Sequence, residues 1–203
     1  MWSKARLVCL YVTASIAFGG ARAGAQGSST PTQWIGSMDA GVVLASPDAK
    51  SGGLGTGGEI AFSGGIRFSR FVHAGADLGV VVFSDDNGFT NNTNLGTKSS
   101  STNGLTSSAW IGLLSPRSIL STDRRVEGGI NAGVSFVNVT REIGSCIGCD
   151  SQTLGSSTSP FVEPMVLVTG GDGKRAMRFS VRRYLSSEYP ISTTLQVGVF
   201  ARR

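Results

Sequence analysis

The chain has 203 residues, of which 29 are glycine and only 15% are charged, against roughly 25% charged residues in an average soluble domain. Hydrophobic residues make up 40%, but beyond the N-terminus no stretch approaches 18 consecutive apolar residues, which argues against a transmembrane helix. An apolar, charge-poor chain without such a helix needs another way to cover its apolar surface, and a lipid-facing β-barrel provides one.

The first 25 residues have the pattern of a secretory signal peptide. Lys4 and Arg6 precede an apolar run over 7–18, and Ala23-Gly24-Ala25 matches the small-residue cleavage site. We predict cleavage after Ala25, with a membrane anchor as the alternative, and a short N-terminal extension over 26–33. Removing 1–25 takes away three bases and no acids, so the formal charge falls from +5 to +2. Nothing in this charge requires a nucleic-acid partner.

The rest of the chain alternates between apolar and small or polar residues, as expected when successive side chains of a strand point to opposite faces. In the first segment Trp34, Met38 and Val42 share one face, and Ser37 and Asp39 share the other. The alternation predicts one all-β domain over 34–203, a single antiparallel up-and-down transmembrane β-barrel of about eight strands. The predicted strands are 34–46, 58–68, 71–83, 105–114, 125–139, 160–169, 175–184 and 193–201.

The fifth predicted strand, 125–139, has the clearest alternation, and the sixth contains Pro164, which predicts a bulge or irregular pairing there. The connections alternate in length, with longer ones over 47–57, 84–104, 141–158 and 185–192. Long outer loops and short periplasmic turns are typical of membrane barrels and place both termini in the periplasm. We expect the 84–104 loop to be mobile because it is polar and of low complexity.

The polar face determines which side of the barrel meets lipid. It consists mainly of Gly, Ser, Ala and Thr, whereas a water-washed exterior would carry many more charges. Small side chains suit the narrow interior of an eight-stranded barrel. The few charged residues on this face are predicted to form a mixed-sign network in the lumen, because buried charges must be paired. They are Asp39, Glu59, Arg67, Asp77, Glu127, Glu163, Arg178 and Arg182. An Arg178→Leu substitution should then lower the melting temperature.

The predicted ends of the barrel differ in charge. The periplasmic side carries eight bases and two acids, a formal +6, and the outer loops carry three bases and six acids, a formal −3. The eight bases of this predicted rim are Arg70, Arg117, Arg124, Arg125, Lys174, Arg175, Arg202 and Arg203. We expect the basic rim to meet anionic phospholipid head groups, with ordinary polar turns as the alternative explanation. Four aromatic residues near the same end could form an interfacial girdle. These are Trp34, Phe68, Phe71 and Phe200.

Taken together, the predicted signal peptide, the alternating segments and glycine-rich strands such as 62–66 and 128–134 resemble the small outer-membrane barrels of the OmpA/OmpX-like group. The resemblance covers about 34–203 and implies an outer-membrane location. It also implies contact with outer-membrane lipids and lipopolysaccharide, and assembly by the barrel-insertion machinery. These barrels usually end on an aromatic residue, whereas here Phe200 is followed by Ala201-Arg202-Arg203.

No catalytic, cofactor or metal site is predicted. Gly53–Gly58 matches G-x-G-x-x-G but lacks the strand and helix that dinucleotide binding requires. His73 is the only histidine, and Ser63 and Asp77 are conceivable partners in a hydrolase site, although a lumenal polar role is favoured. Cys146 and Cys149 are predicted to form a disulfide in an outer loop, because the chain is exported to an oxidising compartment.

The functional prediction is a non-catalytic structural, envelope or surface-interaction barrel with a lumen filled by side chains. Three alternatives remain open at this stage. One is an enzyme that modifies envelope lipids, the second is a periplasmic lipocalin-like barrel with an apolar interior that binds a small ligand, and the third is a narrow pore.

Overall fold

The computed structural model describes residues 33–46, 54–85, 100–143, 151–170 and 174–202. The predicted signal peptide, the extension before Gln33 and the Cys146–Cys149 pair lie outside these residues. No helix in the described ranges is long and apolar enough to cross a membrane.

The described chain is entirely β, and eight of its strands form a closed antiparallel barrel. Each wall strand pairs with its neighbours in sequence, β4 pairs with β6, and β1 pairs with β9 to close the wall. The short β5 forms a hairpin with the start of β6. This confirms the predicted up-and-down fold. The strands are β1 (Gln33–Ala45), β2 (Leu54–Arg67), β3 (Val72–Asp85), β4 (Ser100–Leu114), β5 (Ser118–Ser121), β6 (Arg124–Ile143), β7 (Ser151–Thr169), β8 (Arg175–Tyr184) and β9 (Ile191–Arg202).

The two ends of the barrel differ in how the strands are joined. Gln33 and Arg202 lie at one end, here named the terminal end, together with the connections that join β2 to β3, β4 to β6 and β7 to β8. At the opposite end, here named the loop end, several strands are longer than predicted. β6 extends to Ile143 and β7 begins at Ser151, so much of the loop predicted over 141–158 is paired strand. The alternation weakens there because small and polar residues predominate on both faces of β7 over 153–159.

The outer surface of the wall is apolar. Large aliphatic and aromatic side chains point outward on every wall strand, and the exposed fraction reaches 63% for Leu78. A continuous apolar exterior of this kind marks contact with lipid or a partner rather than with water. The lipocalin-like alternative predicted the reverse arrangement, and the orientation of these side chains contradicts it. Examples from the exterior are Met38, Ile60, Phe62, Val80, Leu105, Ile111, Val134, Phe179 and Val197.

Pro164 interrupts one seam of the wall without shifting its register. The β6–β7 ladder runs regularly through Pro164, so no bulge forms on that side. On the other side, Val162 pairs with Arg183 and Met165 pairs with Ser180 in the β7–β8 ladder. Glu163 and Pro164, which lie between them, are not paired with β8. Proline has no N–H to donate, which accounts for a gap of this kind. The predicted irregularity is therefore a break in the β7–β8 ladder, not a bulge.

Candidate functional site: a charged lumen

The interior of the barrel is polar, and its charged side chains form two groups. The central cluster contains four carboxylates, Asp39, Glu59, Asp77 and Glu163, and two guanidinium groups, Arg178 and Arg182. All six are at most 4% exposed. They come from β1, β2, β3, β7 and β8, so residues far apart in sequence meet because their strands place every second side chain inward. All eight residues of the predicted network point into the barrel or its terminal mouth.

Glu163 is the centre of this cluster. Arg178 donates from Nη2 to Glu163 Oε1, and Arg182 donates from Nη2 and Nε to Glu163 Oε2 at 2.8 and 3.1 Å. Arg178 also contacts Asp39 at 3.2 Å, and Arg182 contacts Asp77. Two arginines therefore join three carboxylates, and each guanidinium bridges two acids.

Neutral side chains complete the hydrogen bonding around the carboxylates. Trp110 donates its indole N–H to Asp77 at 2.7 Å. Glu59 accepts from the amide of Gln196 at 3.1 Å and from the hydroxyl of Thr106 at 3.3 Å. In the described part of the chain no salt bridge reaches Glu59. The central cluster thus has four formal negative charges and two positive, a net −2 if all are ionised.

Inward glycines make room for these side chains. A Cβ on Gly198 would overlap the Asp39 carboxylate and the Met38 carbonyl oxygen, and a Cβ on Gly112 would overlap Asn131 and His73. At these two positions the polar side chains opposite leave no room for a Cβ, a reason for glycine that the alternation alone did not give.

The second group, the mouth cluster, lies at the terminal end and is formed by Arg67, Arg117, Arg202 and Glu127. The Glu127 carboxylate is 1% exposed and is contacted by all three guanidinium groups. Arg67 lies 3.2 Å from Oε1, and the Arg117 Nε lies 3.5 Å from Oε2. This cluster has three positive charges and one negative, a net +2, opposite in sign to the centre.

The mouth cluster corrects two predictions made from the sequence. Arg202 was counted among the rim charges and Phe200 among the girdle aromatics, but both point inward, at 6% and 5% exposure. The outward residues of β9 are Leu195, Val197 and Val199, so the same alternation assigns positions 200 and 202 to the interior. The other three aromatics, Trp34, Phe68 and Phe71, are exposed at this end.

The loop end is closed by aromatic residues. Tyr189, in the connection between β8 and β9, turns into the barrel and is fully buried. Its ring stacks on Tyr184 with centroids 4.5 Å apart, and its hydroxyl lies 2.8 Å from the Ser135 hydroxyl. Phe161 lies beside Tyr184, and the Arg182 guanidinium stands over the Phe161 ring at 4.4 Å. The sequence placed Tyr189 in an outer loop and gave no signal that it would fold inward.

His73 is not arranged for catalysis with the residues considered from the sequence. Its Nε2 lies 2.9 Å from the side-chain oxygen of Asn131, and its ring packs edge-on against Trp110. Asp77 is bound by Trp110 and Arg182, and no hydrogen bond links His73 to Ser63 or Asp77 among the described residues. The nearby cavity, lined by His73, Ser63 and Arg178 among others, has a volume of about 10 Å³, room for about one water.

No protein-family model and no curated protein matches the sequence. Solved structures with a similar fold include the N-terminal β-barrel domain of Pseudomonas aeruginosa OprF, at 10% identity and a TM-score of 0.50 over 84% of this chain and 97% of that one. The Ail protein of Yersinia pestis has 12% identity and a TM-score of 0.47, covering 85% and 98% of the two chains. The outer membrane enzyme PagL has 11% identity and a TM-score of 0.42, covering 82% and 97%. Identities this low bear on fold alone, and the chain has the fold of the small eight-stranded outer-membrane barrels that its sequence resembles.

Proposed function

We propose that the protein is an integral outer-membrane barrel with a closed lumen and a structural or surface-interaction role, and that it is neither a pore nor an enzyme. One observation carries the proposal: the apolar side chains face outward while interlocked charges fill the interior. A barrel with this polarity is unstable in water and stable in a bilayer. The terminal end would face the periplasm, and the loop end would face outward.

The closed lumen is supported from both directions along the barrel axis. The salt bridges of Arg178 and Arg182 occupy the centre, and Tyr189 with its aromatic neighbours covers the loop end. An ion crossing the barrel would have to separate these salt bridges, and each buried charge left without its partner costs several kcal/mol. The unliganded barrel is therefore proposed not to conduct.

The surface-interaction role is supported by the strands that project from the loop end. β6 and β7 stay paired beyond Phe161, the residue at which β8 stops pairing with β7. Together with the start of β4 they form a blade with a surface rich in serine and threonine. The blade would present hydrogen-bonding groups outside the membrane, and its ligand would be a polar surface.

The test begins with export and insertion. The full chain is expressed in a Gram-negative host, the outer membrane is isolated, and the protein is run on a gel with and without boiling. We expect an outer-membrane protein whose mobility changes on heating. Purified protein in planar bilayers should give no conductance above the lipid background. A product recovered in the soluble periplasmic fraction would contradict the membrane assignment, and a steady conductance would contradict the closed lumen.

A further inference from the structure

The mouth cluster has more positive charge than its own carboxylate can balance. Three guanidinium groups meet Glu127, which supplies a single negative charge. The acids of the central cluster are bound by Arg178 and Arg182 or by neutral donors, and no described contact links them to the mouth arginines. Positive charge held close together with little exposure to water is unfavourable unless an anion joins it.

Arg202 has donors that the described chain does not satisfy. Its Nη2 binds Glu127, but its Nε and Nη1 are buried and have no hydrogen-bond partner among the described residues. A buried charged donor without an acceptor is costly, so native proteins almost always supply one from protein, water or a bound ion. Beside it, Arg117 keeps 35% of its side chain exposed, which provides a route from solvent to the cluster.

We infer that the mouth cluster is a binding site for a phosphate group, held by Arg202 and Arg117 with Arg67 behind them. Guanidinium groups match phosphate oxygens through paired, charge-assisted N–H donors, and the net +2 of the cluster balances a phosphate dianion. Glu127 keeps the three arginines in place and prevents their mutual repulsion from opening the mouth.

The phosphate could come from two sources, free in solution or on a lipid head group. The second rests on the proposed membrane orientation, because the terminal end would then lie beside the phospholipid leaflet. The exposed Phe68 and Phe71 lie at the same end of the wall, at the depth where aromatic side chains meet head groups. In both cases guanidinium N–H groups would donate to phosphate oxygens, but a phospholipid phosphodiester carries one negative charge, whereas inorganic phosphate can carry two.

The first experimental arm uses the refolded full chain in uncharged detergent micelles and inorganic phosphate as the probe. The thermal unfolding midpoint is followed with increasing phosphate and, as reference, with sodium chloride at matched ionic strength. We expect a saturable rise with phosphate alone, because a ligand that binds only the folded state stabilises it. Arg117→Gln and Arg202→Gln should weaken the apparent affinity roughly tenfold, the order expected for losing one charge-assisted hydrogen bond.

The second arm repeats the measurement in phosphatidylcholine nanodiscs with and without phosphatidylglycerol. Arg175→Gln is the matched control, because Arg175 is an exposed arginine of the same end that makes no contact with Glu127 in the described chain. Stabilisation by inorganic phosphate identifies a small-anion site, and stabilisation only by phosphatidylglycerol identifies a lipid site. Either result supports the proposal if the stabilisation is weakened in Arg117→Gln and Arg202→Gln and is retained in Arg175→Gln.

Two results would overturn the site. One is an absence of any effect in both arms, which would mean that the chain's own groups satisfy Arg202. The other is an equal loss in Arg175→Gln, which would mean diffuse attraction to a basic rim. The micelle arm requires only a folded barrel, so its failure is distinct from a failure of the proposed outer-membrane location, which the fractionation and gel assay measure separately.

Discussion

The central cluster and the mouth cluster use the same two chemical groups in opposite proportions. At the centre two arginines lie among four carboxylates and form salt bridges with three of them, and at the mouth three arginines surround one carboxylate. The central groups are enclosed, whereas Arg117 at the mouth is partly open to solvent. Burial determines how much each charge matters, because enclosed charges cannot exchange a lost partner for water. The centre should therefore control stability, and the mouth should respond to the surroundings.

The largest effect is expected at the centre. Arg182→Leu removes the salt-bridge partner of Asp77 and one of the two arginine partners of Glu163. Asp77 then keeps only the neutral indole N–H of Trp110, so its buried charge is no longer balanced. We expect the free energy of unfolding to fall by about 3–5 kcal/mol, measured by urea unfolding in lipid vesicles. Arg183→Leu is the control, since Arg183 is exposed on the outer face of the same strand and donates to the Thr193 hydroxyl instead of to a lumenal acid. Equal losses in the two variants would show that lumenal position does not matter.

The aromatic closure at the loop end should come next. Tyr189→Ala removes a fully buried ring that stacks on Tyr184, and truncating a buried aromatic costs about 3 kcal/mol or somewhat less where the loop can relax. Tyr189→Phe keeps the stacking and loses only the bond to Ser135, so its loss should be about 1 kcal/mol. Thermal gel-shift midpoints compare the two variants. A Phe variant as unstable as the Ala variant would assign the closure to the hydroxyl.

Overfilling the lumen should have a moderate effect. Gly198→Ala places a methyl group against Asp39 and the Met38 backbone, and we expect a loss of about 1–3 kcal/mol. Gly64→Ala is the matched control in another wall strand, because its added Cβ would meet nothing within 4 Å. Urea unfolding in vesicles measures both. If Gly198→Ala left the free energy of unfolding unchanged, the wall would have to move aside, and the lumen would be less tightly filled than the geometry indicates.

The smallest effect on stability is expected at the mouth. Arg117→Gln leaves Arg67 and Arg202 on Glu127, and Arg117 is partly exposed, so the loss should be at most about 1 kcal/mol. The same assay without phosphate measures it. A loss comparable to that of Arg182→Leu would remove the distinction between an enclosed centre and an open mouth.

The alternation of the sequence was sufficient to predict the barrel, because one face of each strand is the apolar exterior and the other lines the polar lumen. It also selected the inward charges, since Asp39, Asp77, Glu163 and Arg178 interrupt otherwise small side chains at inward positions. The partners of each charge could not be predicted, because pairing depends on the stagger between strands. For the same reason the contact of Trp110 with Asp77 carried no sequence signal. For Arg178 with Asp39 and for Arg182 with Asp77, the strands are also distant in sequence.

The ends of the barrel were harder to predict than its middle. The alternation of β9 indicates an inward position for Arg202, but the residue was interpreted as a rim charge because it lies at the end of a strand. The inward orientation of Tyr189 could not be predicted, since a connection has no periodicity from which an inward turn can be inferred. The β5 hairpin lies in the connection between the predicted strands 105–114 and 125–139, and its four residues are too few for a periodic signal.

The break in the β7–β8 ladder at Pro164 has a consequence for how the wall could come apart. Glu163 belongs to β7 and both of its arginine partners belong to β8, so its salt bridges span the seam where backbone pairing is missing. At this seam the lumenal salt bridges hold β7 and β8 together in place of the missing backbone hydrogen bonds. Amide protons beside this seam should be the first in the wall to exchange with solvent deuterium once Glu163 is neutralised. We therefore expect the barrel to open first at this seam, between a proline on the outer face and an acid in the lumen.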